Sequence, residues 1–188
     1  MKTININFDV KSIKNAIKEI KEVQKKMQKE VPQAFITRCL NWVRVRANDY
    51  LNNFNIDGET ISDVISNWHN EIEGNVGKLV NTSSKAVFIE FGVGRIGAVA
   101  SHPSANENNP PYEYNVESDK KDGYGKWRFK TNDKFGIDLV EGYYTIKNDT
   151  VTTSGSPATL YLYNAMMDLI SSGVFKKLWQ DTLNNIIK

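Results

Sequence analysis

Apolar residues alternate with polar ones at the start of the chain. Ile4, Ile6 and Phe8 follow the two-residue period of a half-buried strand over residues 3–8. Asp9 or Ser12 can then cap a helix. From about residue 11 to 30 the period lengthens, with apolar positions at Ile13, Ile17, Ile20 and Met27 and with Gln24 where the stripe would continue. That pattern predicts an amphipathic helix. Lys14, Lys18, Lys21 and Lys25 run down another of its faces. Pro32 suits the first turn of a second helix, where a missing N–H costs nothing. Ile36, Leu40, Val43, Ala47, Leu51 and Phe54 then recur at steps of three and four. Residues 11–54 therefore form a helical N-terminal part, either as two helices or as one kinked at Pro32. Asp57-Gly58 breaks it.

Residues 59–67 predict a short helix with Ile61, Val64 and Ile65 inward. The period then shortens. Residues 68–72 and 76–82 read as two strands about a Gly74-Asn75 turn. Residues 86–91 are the most apolar run in the chain, too short for periodicity to separate a strand from a turn and a half of helix. We group 68–91 with residues 127–153 as a sheet region. Within the latter, 126–131 and 143–153 read as strands, the second folding back about Lys147-Asn148-Asp149. Residues 95–126 are polar, punctuated by Pro and Gly and aperiodic, which predicts an extended loop. After Pro157, helices are expected over 158–171 and 174–187. The fold class is α+β: long N-terminal and C-terminal helices on a mainly antiparallel sheet, with a long polar insertion. The expectation is a single domain over all 188 residues.

Charge refines this picture. The chain carries 24 Lys/Arg and 22 Asp/Glu, a formal net charge of +2. Residues 1–50 hold 11 basic and 5 acidic residues, net +6, which leaves 13 basic and 17 acidic, net −4, for the rest. Copies with opposite-signed halves attract one another head to tail. The lysine stripe reads first as a solvated helix face and second as a surface for phosphates. Cys39 is the only cysteine, so an internal disulfide is excluded, and a small buried hydrophobe is the expected role. With two histidines, a Cys/His zinc site would need carboxylates to complete it. No metal or cofactor is expected. The N-terminus has no apolar stretch of the signal-peptide kind, and no run is long enough to span a membrane. The expectation is a soluble intracellular product without a membrane partner.

Gly92-Val93-Gly94-Arg95-Ile96-Gly97-Ala98-Val99 matches a phosphate-binding glycine loop as a string. Such a loop needs a strand before it and a helix of some length after it. Here Pro103 arrives before two helical turns can form, and Lys134-Phe135-Gly136 lacks the aspartate of a kinase metal site. Glycines chosen for backbone freedom at a turn explain the string better. Ser101 and His102 are neighbours and cannot face each other as nucleophile and base. His69 sits beside Trp68 in a predicted strand, a structural position. Glu90, the one acid inside the apolar run, has no second carboxylate at motif spacing. A structural role, paired or capping backbone N–H groups, is favoured over catalysis.

In order along the chain come Ser66-Asn67-Trp68, Phe88-Ile89-Glu90-Phe91-Gly92-Val93-Gly94, His102-Pro103, Gly123-Tyr124-Gly125-Lys126-Trp127-Arg128-Phe129, and Gly155-Ser156-Pro157-Ala158 before Leu162-Tyr163-Asn164-Ala165. Over about residues 35–170 this series resembles the head–tail joining, or tail-completion, proteins of tailed bacteriophages. Asn67 splits the Ser-Trp pair of that family, and Val93 stands where Thr is frequent. The resemblance implies a structural virion protein of the neck, without cofactor or reaction, made in the bacterial cytoplasm. It implies association with itself as a ring, six copies being the expectation, and contact with other neck proteins, a tail terminator or tail tube, and the portal-side connector. The subunit-interface or motif residues it points to are Glu90, Phe91, Gly92, Gly94, Arg95, Trp127, Gly155, Pro157 and Tyr163. The alternative is a DNA-binding accessory protein. It would use Lys14, Lys18, Lys21 and Lys25, residues that in a ring would contact DNA in the lumen without reading sequence. A small nucleotide-using enzyme is a third, disfavoured reading.

Overall fold

A computed structural model describes residues 10–107, 111–114, 127–130, 144–147, 150–153 and 155–187. The strand expected over 3–8, the Gly123–Lys126 stretch and much of the polar insertion lie outside the described residues. The elements run α1 (Val10–Leu51), α2 (Gly58–Ser66), β1 (Trp68–Glu73), β2 (Val76–Asn81), α3 (Ala86–Phe91) and α4 (Gly94–Val99). They continue with β3 (Trp127–Lys130), β4 (Tyr144–Lys147), β5 (Thr150–Thr153), β6 (Gly155–Ser156), α5 (Tyr161–Ser171) and α6 (Val174–Ile186). This is the expected mixture of helix and sheet. β1 and β2 form a two-stranded sheet; β3, β5 and β4 form a three-stranded one in that order. In the latter, Trp127 and Tyr144 both lie opposite Thr153 in antiparallel register. The chain divides into two compact units.

The first unit comprises Met1–Val43, Asn70–Val80 and Met166–Lys188. Two helices were an open expectation for the N-terminal part; α1 is one helix of 42 residues that runs through Pro32. An internal proline costs a helix about 3 kcal/mol, which packing on either side offsets. Val31 is fully buried, and Phe35 sets its ring edge-on to Phe175 at 4.9 Å and to Trp179 at 5.0 Å. The Lys26 ammonium donates to the Ile186 carbonyl at 3.2 Å. Gly77 of β2 lies so close to Ile36 and Leu40 that a Cβ would collide with the Ile36 side chain. Farther toward the N-terminus Ala16 is buried, yet the Ile13, Ile17, Ile20 and Met27 stripe is exposed.

The second unit comprises Arg44–His69 and Asn81–Ala165. Its core gathers Ala47, Leu51, Val64, Tyr161 and Ala165, none more than 1% exposed. Trp68 packs edge-on to Tyr161 at 6.2 Å, and its indole N–H donates to Asn48 Oδ1 at 3.0 Å. Asp57 caps α2 by accepting the Thr60 N–H at 2.9 Å. Thr60 and Val64 are the buried residues of α2, whereas Ile61 and Ile65, expected inward, are half-buried. Ser83 Oγ bonds the Asp63 carboxylate and accepts the Lys85 N–H, fixing the approach to α3.

Three boundaries differ from expectation. Residues 86–91 are helical and do not extend the sheet region: the Ile89 and Gly92 N–H groups reach back to the Lys85 and Phe88 carbonyls. The extended loop expected over 95–126 begins with the short helix α4. Helix α5 starts at Tyr161 rather than at 158, because the residues before it are engaged elsewhere. The Thr159 N–H and hydroxyl both donate to the Ile89 carbonyl, and the Leu160 N–H donates to the Glu90 carbonyl. These bonds satisfy acceptors that the C-terminus of α3 leaves free.

Candidate functional site: the Glu90 joint

The two stretches on either side of the polar insertion meet main chain to main chain. Val93 bridges Ser156 and Gly94 bridges Gly155 in antiparallel fashion. This close approach explains the glycines. Gly155 has φ +103, and a Cβ there would collide with the Val93 carbonyl. Gly92 has φ +75, and its Cβ would lie 2.5 Å from the Ala158 nitrogen and 2.6 Å from the Pro157 carbonyl carbon. Only glycine fits both the backbone conformation and the space.

Glu90 lies at the centre of the joint, 5% exposed. Helix α5 begins without a capping side chain of its own, and the Glu90 carboxylate supplies one from 72 residues away. Oε2 accepts the Leu162 N–H at 2.8 Å and Oε1 accepts the Tyr163 N–H at 2.9 Å. A carboxylate at this end also complements the helix dipole. Oε1 is shared with Nε2 of His102 at 2.9 Å. The other ring nitrogen of His102, Nδ1, accepts the Ser104 N–H at 3.0 Å and so carries no proton. His102 is therefore the neutral Nε2–H tautomer, donating to Glu90.

Aromatic rings cover the pair. Phe91 stacks on His102 at 4.2 Å and on Tyr112 at 4.7 Å. The Tyr163 ring stands edge-on to His102 at 5.3 Å. The Tyr112 hydroxyl donates to the Gly92 carbonyl at 2.7 Å, and the His102 N–H donates to the Tyr114 hydroxyl at 2.7 Å. Burial, followed by the neighbouring Tyr114, pushes the Tyr112 phenol up to about 12. Burial, reinforced by the Glu90 charge, holds Tyr161 higher still.

The expected motif residues thus converge in large part. Glu90, Phe91, Gly92, Gly94, Gly155, Pro157 and Tyr163 belong to one cluster. Trp127 opens β3, and its backbone partner Thr153 is a buried residue whose hydroxyl accepts the Gly155 N–H at 3.1 Å. Arg95 lies in α4; its side chain and that of Trp127 are outside the described residues. Lys14, Lys18, Lys21 and Lys25 are exposed on α1, apart from this cluster in sequence and in unit. Sequence reasoning missed the pairing of His102 with Glu90 and the roles of Tyr112 and Tyr114. Two tyrosines spaced by one residue after Pro110-Pro111 were the available signal.

Chemically, the cluster is a closed set of donors and acceptors. Each Glu90 oxygen is engaged, and the one histidine beside it spends both nitrogens on protein partners. Among the described residues, no group of three His, Cys, Asp or Glu side chains could hold a metal ion. No helix among them is long and apolar enough to cross a membrane. No family model, curated protein or solved structure matches the chain.

Proposed function

We propose that this protein is a structural component of the neck of a tailed bacteriophage or phage-tail-like particle, joining or completing the tail through ring-forming contacts between copies. The observation that carries the reading is the joint itself. The Glu-Phe-Gly-x-Gly and Gly-x-Pro stretches, whose shared order underlies the resemblance to tail-completion proteins, lock together through Glu90 and two backbone bridges. Glu90 acts there as a remote helix cap, and the glycines permit close packing. The proposal assigns the chain no reaction and no cofactor. Its partners are further copies of itself, other neck proteins and the tail tube or portal-side connector, and its location is the assembled virion.

Deleting the gene from its phage or particle locus tests this. The expected result is filled heads and tails accumulating separately, with joining restored when purified protein is added. Normal particles from the deletion would refute the proposal.

A DNA-binding role is the second reading, favoured by the exposure of Lys14, Lys18, Lys21 and Lys25 along α1. It predicts duplex affinity that falls steeply with salt and disappears when the four lysines are replaced. Salt-independent or absent binding would remove it.

A further inference from the structure

Local sequence and tertiary contact disagree just ahead of α5. Ser156-Pro157-Ala158-Thr159-Leu160 reads as a helix start, with a serine suited to the N-cap and a proline at the first helical position. Ser156 lies in the extended β6, and an N-cap takes the same backbone region. Yet α5 begins only at Tyr161. Leu160 is turned into the left-handed region at φ +56; among the described residues it is the only non-glycine with positive φ. Its Cβ crowds the backbone there, so the turn is strained. Conflicts of this kind between local preference and fold mark functional or strained sites.

The strain is held from outside the segment. The Thr159 N–H and hydroxyl donate to the Ile89 carbonyl at 3.0 and 2.8 Å, and the Leu160 N–H donates to the Glu90 carbonyl at 3.3 Å. The Glu90 carboxylate takes the Leu162 and Tyr163 N–H groups. In a helix begun at Pro157, those two N–H groups would reach the Ala158 and Thr159 carbonyls, four residues back. The Asn164 N–H already bonds the Leu160 carbonyl in that way, at 2.8 Å. The helix therefore has its own means of satisfying the donors that Glu90 satisfies. Leu160 would lose its strain in the exchange, while the Ile89 and Glu90 carbonyls would lose their partners.

We propose that residues 157–160 form a two-position switch, locked by Glu90 in the left-handed turn and released into an added first turn of α5 when Glu90 is drawn away. The locked position joins α3 to α5. The released position gives up that joint and lengthens α5. Every residue involved lies in the second unit, and the switch is independent of the neck reading. A partner that engages only one position shifts the balance by its preference for it.

Paired substitutions at residue 160 of the full chain test this. Leu160→Ala and Leu160→Gly both remove the side chain and differ in backbone preference. Glycine accepts the left-handed region, whereas alanine is the better helix former. With Glu90 in place, the glycine variant should melt about 2–4 °C above the alanine variant. With Glu90→Gln added, the order should reverse, and the Cα chemical shifts of residues 158–160 should move to helical values. A second variant, Thr159→Val, removes the hydroxyl bond to Ile89 while keeping the side-chain shape, and serves where Glu90→Gln does not fold. It should move the shifts of residues 158 and 160 part of the way to helical values. An alanine variant as stable as the glycine variant with Glu90 in place would overturn the proposal. So would an order that Glu90→Gln leaves unchanged, or shifts that neither Glu90→Gln nor Thr159→Val moves.

Discussion

His102 Nε2 and Glu90 Oε1 stand 2.9 Å apart with side chains 4% and 7% exposed. The Ser104 N–H on the far side of the ring determines which way the proton lies between them. Nitrogen-detected NMR of labelled protein at neutral pH should therefore show His102 as the Nε2–H tautomer, with Nδ1 unprotonated. A doubly protonated ring would contradict the assignment. Replacing Ser104 by proline removes the N–H that selects the tautomer and should broaden or shift the His102 signals.

Glu90 caps a helix and satisfies a histidine at once, so its loss leaves several buried donors without acceptors. Glu90→Ala should cost about 3–5 kcal/mol of stability, since each buried N–H left unpaired costs about 1–3 kcal/mol. Glu90→Gln, which retains one oxygen but turns an amide toward donors, should cost about 2–3 kcal/mol. Urea unfolding with an unchanged m-value measures both. A loss below about 0.5 kcal/mol for the alanine variant, the ordinary range for a surface change, would refute the capping role.

The glycines at the joint make a graded series. Gly155→Ala and Gly92→Ala meet positive φ and backbone atoms together and should each destabilise by about 2–4 kcal/mol. Gly58, in the first turn of α2 with nothing within 4 Å of its would-be Cβ, serves as the control. Gly58→Ala should be neutral or slightly stabilising. Equal losses at all three positions in thermal unfolding would mean that close packing at the joint is not what the glycines serve.

Much of this arrangement can be read in the sequence. The hairpin about Gly74-Asn75, the strands Tyr144–Lys147 and Thr150–Thr153, and the final helix follow from local periodicity, and all are present. The run 86–91 resisted assignment because six apolar residues satisfy both periods. Its helical state depends on Gly92 ending it and on Ser83 ordering its start, partly through Asp63. Helix α5 could not be placed to the residue, since its cap comes from Glu90, far outside any window of local sequence. Glu90 and the glycines stood out as chemically odd in an apolar stretch. His102 did not, because nothing in Ser101-His102-Pro103 hints at a partner twelve residues back. The apolar face of the predicted amphipathic helix, Ile13, Ile17 and Ile20, is exposed; periodicity identifies an apolar face without saying what covers it.

Alkaline pH should loosen the second unit. Tyr112 is held protonated to about 12 and Tyr161 beyond that, whereas an unfolded tyrosine ionises near 10. The unfolded chain therefore gives up these protons first. The associated stability is intact below about pH 10 and declines as pH rises through the folded values. Phenolate absorbance should show these tyrosines ionising last, together with loss of tertiary structure. Tyr112→Phe should flatten the decline between about pH 10 and 12. An unaltered profile would refute the link.

Asp57 gives the opposite sign at acid pH. Burial tends to raise its carboxyl, but bonds from Thr60, the Lys85 charge and the Glu59 backbone outweigh it and hold the group below the usual aspartate range. Stability from the cap is present above the unfolded value near 4 and is lost as pH falls through the lower, folded value. Because Asp57 is exposed, the effect is that of a surface cap. Asp57→Ala should cost about 1 kcal/mol at neutral pH and progressively less in acid. A penalty that does not change with pH would show that the charge is immaterial.

The bridges from Val93 to Ser156 and from Gly94 to Gly155 use atoms common to every amino acid. A junction built this way constrains few side chains: the glycines that let two strands of backbone touch, and one acid to hold the helix end. The side chains of Val93 and Ser156 take no part in the two bridges. Substitutions at these two positions that keep the backbone extended should therefore leave the joint in place, whereas a side chain added at Gly155 or Gly92 pushes the two strands of backbone apart.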